Sequence, residues 1–221
     1  MRSERILVVG GKTGIGAGVV AEFGERCLVW SRSTGVDATD AQQVGSAVQE
    51  LLAREGPPLA LVHCVGDFEE RALLATDAQL YRHLIESNLT SAFVVAQALV
   101  PAMAAAGRGR VVFFAAAGSD DRRAKLRAPI YFAAKAALTS LARSLAAEVA
   151  RTGVTVNVIS PGIIRHPHSH RESQDRIQAR IPAGRPGTTA DVVALVRFLL
   201  SDAAQYVTGA EIPVDGGLGL V

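Results

Sequence analysis

Short apolar runs alternating with longer segments of helical period constrain this chain more than any single residue does. ILVVG (6–10) leads into a helical stretch from Gly14, followed by CLVWS (27–31), GVDAT (35–39), a helix over 40–55 and LALVHCVG (59–66). A long helix over 76–106 comes next, then RVVFFAAAG (110–118), a helix over 129–151, VTVNVIS (154–160), a helix over 188–200 and EIPVDGG (211–217). Strands that alternate with helices build a parallel sheet, and strands apolar on both sides need helices on both faces. The pattern therefore predicts a single-domain α/β Rossmann fold over 1–221, a doubly wound parallel sheet of about seven strands. A chain of 221 residues, 49% of them hydrophobic, is enough for one well-buried core and short for two.

The same features exclude several roles. Lys and Arg total 23 against 21 Asp and Glu, a net charge of +2, and the arginines are dispersed, so neither a nucleic-acid nor a membrane-surface partner is expected. The chain enters an apolar strand within six residues of Met1, so no signal peptide is expected. The stretch FVVAQALVPAMAAAG (93–107) carries Gln97 and Pro101 and reads as too short for a membrane span. A cytoplasmic protein is expected. Cys27 and Cys64 fall in strands as core filler, without disulfide or metal chemistry. His166, His168 and His170 alternate in RHPHSH but lack acidic or thiol partners, so that loop reads as a substrate lid and no metal is assigned.

Two regions carry candidate chemistry. VVGGKTGIG (8–16) places Gly10, Lys12, Thr13, Gly14, Ile15 and Gly16 between the first strand and first helix. Such a turn lets backbone approach a pyrophosphate while the helix N-terminus offers free amides and partial positive charge. Arg32, after the second strand, could clamp a 2′-phosphate, where an NAD site would present an acid; Lys12 points the same way, favouring NADP(H) over NAD(H). At the other end, Tyr131 and Lys135 in YFAAK lie four apart on a predicted helix and share a face. A neighbouring ammonium should lower the phenol's pKa, making Tyr131 a workable proton donor.

With these motifs in order over essentially the whole chain, the sequence resembles the short-chain dehydrogenase/reductase family. The resemblance implies a homo-oligomer, dimer or tetramer, that reduces the carbonyl of a small molecule such as a ketone or 3-oxoacyl compound. It further implies that Tyr131 is the acid, that Lys135 tunes it and holds the nicotinamide ribose, and that Asn88 in SNLTSAF keeps a water linking Lys135 to solvent. By the same resemblance Asp37 contacts adenine, Gly66 ends the turn after the fourth strand, and Pro161, Gly162 and Ile164 lie beside the nicotinamide. The chain departs from the family's pattern as well. The family's serine becomes Ala116, with Ser119 three residues on; the asparagine-rich turn is HCVG (63–66); the usual Thr of the glycine turn is Val9, and another is His166; and RSTG stands where a full helix usually fits. The dihydropteridine reductases show similar changes, so a quinonoid pterin or quinone reductase is a second reading. A catalytically weak nucleotide-binding sensor is a third. The loop SDDRRAKLRAP (119–129) could select an anionic substrate.

Overall fold

The computed structural model describes residues 4–121, 123–165, 178 and 180–220. Its frame is one parallel sheet built from β1 (Ile6–Val9), β2 (Cys27–Trp30), β3 (Ala60–His63), β4 (Gly109–Phe114), β5 (Val154–Pro161) and β8 (Glu211–Val214), in the order β2-β1-β3-β4-β5-β8. Two further short strands, β6 (Ile164–Arg165) and β7 (Gly187–Thr188), pair only with each other. Side chains alternate across the sheet as strand geometry requires. Leu7, Val9, Leu61, Val111, Phe113, Val156 and Val158 face one layer, which packs on α2 (Ala41–Glu55), α4 (Ser91–Ala105) and α5 (Pro129–Val149). Ile6, Val8, Ala60, Val62, Val112, Phe114 and Ile159 face the other, under α1 (Gly14–Phe23) and α6 (Thr189–Leu200).

The main sheet has six strands where about seven were expected. GVDAT does not join it: between β2 and α2 the chain makes only one 3₁₀ turn, Arg32–Thr34, before Asp40 caps α2 by accepting from the amides of Gln42 and Gln43. A further parallel strand needs a crossover of a dozen or more residues, which this connection lacks. GVDAT instead runs as turns and irregular chain into α2.

The helix expected over 76–106 is interrupted. α3 (Ala78–Ile85) runs into a π-helical turn, Glu86–Thr90, and then into α4. Asn88 explains the insertion: its Nδ2 donates to the Leu84 carbonyl at 3.0 Å, taking an acceptor of the helix ladder, and also to the Asp67 carbonyl at 2.8 Å. Because the helix continues through this turn, Ala78–Ala105 spans 28 residues and is, by length and composition, long and apolar enough to cross a membrane. Half of that apolar window is buried inside the fold, as befits a core helix covering a sheet.

Candidate active site

Chain order reverses at β1, whose neighbours are β2 on one side and β3 on the other, and such a switch point opens a crevice at the strands' C-terminal ends. A cleft of about 380 Å³ lies there, lined among others by Gly10, Lys12, Thr13, Arg32, Asp37 and Gly66. Gly10 takes φ +84°, and a Cβ on Gly16 would stand 2.2 Å from the Gly10 carbonyl oxygen, so α1 starts directly against the turn. Thr13, the N-cap of α1, makes no side-chain cap, which leaves the first amides of the helix open to a ligand. Gly14 and Ile15 belong to that first turn of α1 rather than to the cleft lining.

Lys12 and Arg32 form no ion pair or side-chain hydrogen bond among the described residues. Asp37 accepts from the Thr39 amide and hydroxyl at 2.9 and 2.7 Å, and those bonds hold its carboxyl below the usual range. The cleft also takes in Cys64, expected as core filler, and Ser31, Thr39, Asp67, His83, Glu86 and Ser87, which no motif in the sequence marks. All except Ser31 and Thr39 come from the end of β3 or from α3 and its π turn, and only packing brings those segments together.

Behind the cleft floor the fold gathers Asn88, Lys135 and Tyr131. A Cβ on Gly66 would stand 2.5 Å from Asn88 Oδ1 and 2.8 Å from Lys135 Nζ, so only a glycine leaves room for both groups. Asn88 Oδ1 is buried without a partner. Lys135 Nζ donates to the Phe114 carbonyl at 2.8 Å and lies 5.7 Å from the Tyr131 ring centre. Burial lowers the Lys135 ammonium to about 8, with Cys64 acting weakly in the other direction. Burial also raises Tyr131, to about 12, reversing the expectation that its lysine neighbour would lower the phenol. In this closed surrounding, loss of water outweighs the ammonium's attraction. The edge of the Phe68 ring packs on Tyr131 at 5.0 Å, and Phe132 follows at 5.4 Å.

His63, in the family's asparagine-turn position, is fully buried against Phe113, and desolvation with nearby Lys135 drives it down to about 3. It is neutral throughout the physiological range. Cys27 and Cys64 are free, and burial pushes the Cys64 thiol up to about 12, an unreactive state.

Ala116 and Ala117 continue the line of β4, Ala117 donating to the Pro161 carbonyl at 2.9 Å, and a turn closes with the Ser119 amide on Ala116. Ser119 is buried and its hydroxyl has no partner. In the 119–129 loop, Asp121 binds Lys125 at 2.8 Å and Arg123 at 2.9 Å, and Arg127 binds Glu70 at 2.7 Å. These cations already have carboxylate partners, which weakens the case for an anion-selecting mouth. Pro161 ends β5, Gly162 packs closely on Asp215, and Ile164 opens β6. His166, His168 and His170 lie outside the described residues; among the described residues no cluster of His, Cys, Asp and Glu suits a metal.

A family model described as enoyl-(acyl carrier protein) reductase matches residues 13–219. The chain is 35% identical over 237 residues to the 3-oxoacyl-[acyl-carrier-protein] reductase MabA of Mycobacterium avium, covering 99% of this chain and 91% of that one. It is 33% identical over 190 residues to the 3-oxoacyl-[acyl-carrier-protein] reductase FabG of Escherichia coli strain K12, covering 84% and 77%. Among solved structures, gox2181 superposes with a TM-score of 0.90 at 26% identity, covering 100% of this chain and 97% of that one. A gluconate 5-dehydrogenase from Burkholderia cenocepacia J2315, in complex with NADP and tartrate, gives 0.89 at 26% identity with the same coverage.

Proposed function

This chain belongs to the short-chain dehydrogenase/reductase family of NAD(P)H-dependent oxidoreductases, and from that premise we propose that it reduces the carbonyl of a small ketone or 3-oxoacyl substrate with NADPH. The observation that carries the proposal is the meeting of Lys135 and Asn88 at Gly66 at the end of the nucleotide cleft, with the Tyr131 ring centre 5.7 Å from Lys135 Nζ. The residues present suit a dinucleotide: a glycine turn with open helix amides accepts a pyrophosphate, and Lys12 with Arg32 offers two unengaged cations to a 2′-phosphate. A solved relative, the gluconate 5-dehydrogenase in complex with NADP and tartrate, agrees with that preference.

When bound, the reduced nicotinamide supplies hydride to the carbonyl carbon. Tyr131, neutral because burial raises its pKa, donates its proton to the carbonyl oxygen. The Lys135 ammonium then stabilises the resulting phenolate, an interaction that exists only once the proton has moved and so favours the transition state. Lys135 would also hold the ribose, and the unpartnered Asn88 Oδ1 is the acceptor for a water that returns a proton to the pair. Pro161, Gly162 and Ile164 line the approach past β5, Asp37 bounds the adenosine side, Gly66 lies beside Asn88 and Lys135 at the other end, and the active form is a homo-oligomer in the cytoplasm. Exposed Tyr81 and Phe93 on α3 and α4 suit a covered face.

Ala116 motivates a second reading. With no hydroxyl at the end of β4, an electron-poor quinonoid pterin or quinone, which needs little carbonyl polarisation, suits the site better than a plain ketone. The decisive experiment follows NADPH and NADH oxidation against 3-oxoacyl and enoyl thioesters, ketones, quinones and a quinonoid dihydropterin. Turnover of a 3-oxoacyl thioester or ketone with NADPH, lost about 10²- to 10⁴-fold in Tyr131→Phe, supports the first reading. Turnover confined to quinones or the pterin replaces it with the second, and cofactor binding without any turnover points to a sensor.

A further inference from the structure

The cleft sets three carboxylates, Asp37, Asp67 and Glu86, beside Lys12 and Arg32, an unfavourable balance for a ligand carrying several phosphates. Asp37 lies beyond β2 on the Arg32 side. Asp67 lies beyond β3, across β1, where the cleft meets the glycine turn and the Lys135–Asn88 pair.

Its position is fixed from three directions. Its amide donates to Ser87 Oγ at 3.4 Å, its carbonyl accepts from Asn88 Nδ2 at 2.8 Å, and its Oδ2 lies 2.9 Å from His83 Nε2. His83 is on α3, one turn before Glu86 and Ser87, and all three line the cleft. Both members of the His83–Asp67 pair are half exposed toward it. An Nε2–H directed at the carboxylate neutralises part of its field whether or not the imidazole carries a full charge.

Building on the nucleotide reading above, we propose that His83 masks the Asp67 carboxylate from the phosphates of the dinucleotide and so sets cofactor affinity. His83 acts through Asp67 as a positioning residue. Arg32 stands on the far side of β1, so the effect bears on the pyrophosphate shared by NADPH and NADH, and not on the 2′-phosphate.

The test is NADPH and NADH fluorescence titration of the purified protein at low and high ionic strength. His83→Ala should weaken both cofactors about three- to fivefold at low salt, as for a half-exposed charge pair. The loss should shrink in high salt, where exposed charges are screened. His83→Gln, which keeps a donor, should bind much as the wild type does. Asp67→Asn should bind at least as tightly as the wild type, and adding it to His83→Ala should restore affinity; that rescue also shows the alanine variant is folded. Unchanged binding in His83→Ala, or failed rescue by Asp67→Asn, overturns the masking role. A wild-type protein that binds neither cofactor overturns the nucleotide reading on which it rests.

Discussion

Strand β4 meets a buried cation at each end, and the two are held in different ways. At its C-terminal end Lys135 donates to one acceptor, the Phe114 carbonyl, and forms no ion pair among the described residues, and burial lowers it to about 8. At its N-terminal end Arg110 reaches the carbonyls of Gly109 and Gly153 and the Asp202 carboxylate at 3.0, 3.5 and 3.5 Å, leaving only its Nε unsatisfied. Arg110 is a cation in a set of carbonyls, fixed in charge and holding strand ends together. Lys135 is an under-partnered cation whose charge can respond to what arrives beside it. Two buried positive groups, Lys135 of α5 at one end of β4 and Arg110 of β4 at the other, thus separate a chemical use from a structural one by the number of acceptors around each.

The largest effect that would sharpen this contrast comes from Lys135→Met. Reductase activity should fall at least about 10²-fold while the protein becomes more stable by about 1–2 kcal/mol at pH 7. The sign follows from the depressed pKa: the folded state opposes the charged lysine fully below about 8, and the penalty fades as pH rises from about 8 toward the ordinary 10.5, so the variant's advantage should vanish by about pH 10. Thermal melts across pH would check it, and a less stable Lys135→Met would break the comparison.

Gly66→Ala comes next. Its Cβ would enter the space between Asn88 Oδ1 and Lys135 Nζ, so kcat should drop about tenfold or more, more than the melting temperature suggests. The wild-type rate of carbonyl reduction should then decline as pH passes about 8, tenfold per unit in the limit, as Lys135 loses its proton. A flat profile to pH 10 would deny Lys135 its role. The smallest effect belongs to the other end: Arg110→Met should destabilise by about 1–2 kcal/mol through two carbonyls losing a donor, with kcat unchanged.

The alternation of apolar runs and helical segments was enough to read a parallel sheet, because a buried strand and an amphipathic helix each leave a local signature. The glycine turn and the Tyr131–Lys135 spacing were legible for the same reason, since turn conformation and helix periodicity act over a few residues. The strand count was not, because whether GVDAT joins a sheet depends on the length of the connection before it. The π turn at Asn88 was also hidden: the side chain that takes the Leu84 carbonyl is held in place by a second bond, to the Asp67 carbonyl of a distant segment. His83, Asp67 and Ser87 carry no motif, and the direction of the Tyr131 shift reversed once its neighbours had excluded water.

The sequence alone therefore determined the family, the layered fold and which groups could carry a proton or meet a phosphate. Tertiary structure decided how many acceptors surround each buried charge, which carboxylate stands in the cleft and which imidazole covers it. Those properties depend on desolvation and on contacts between segments far apart in the chain, and neither exists until the sheet and its helices have closed around them.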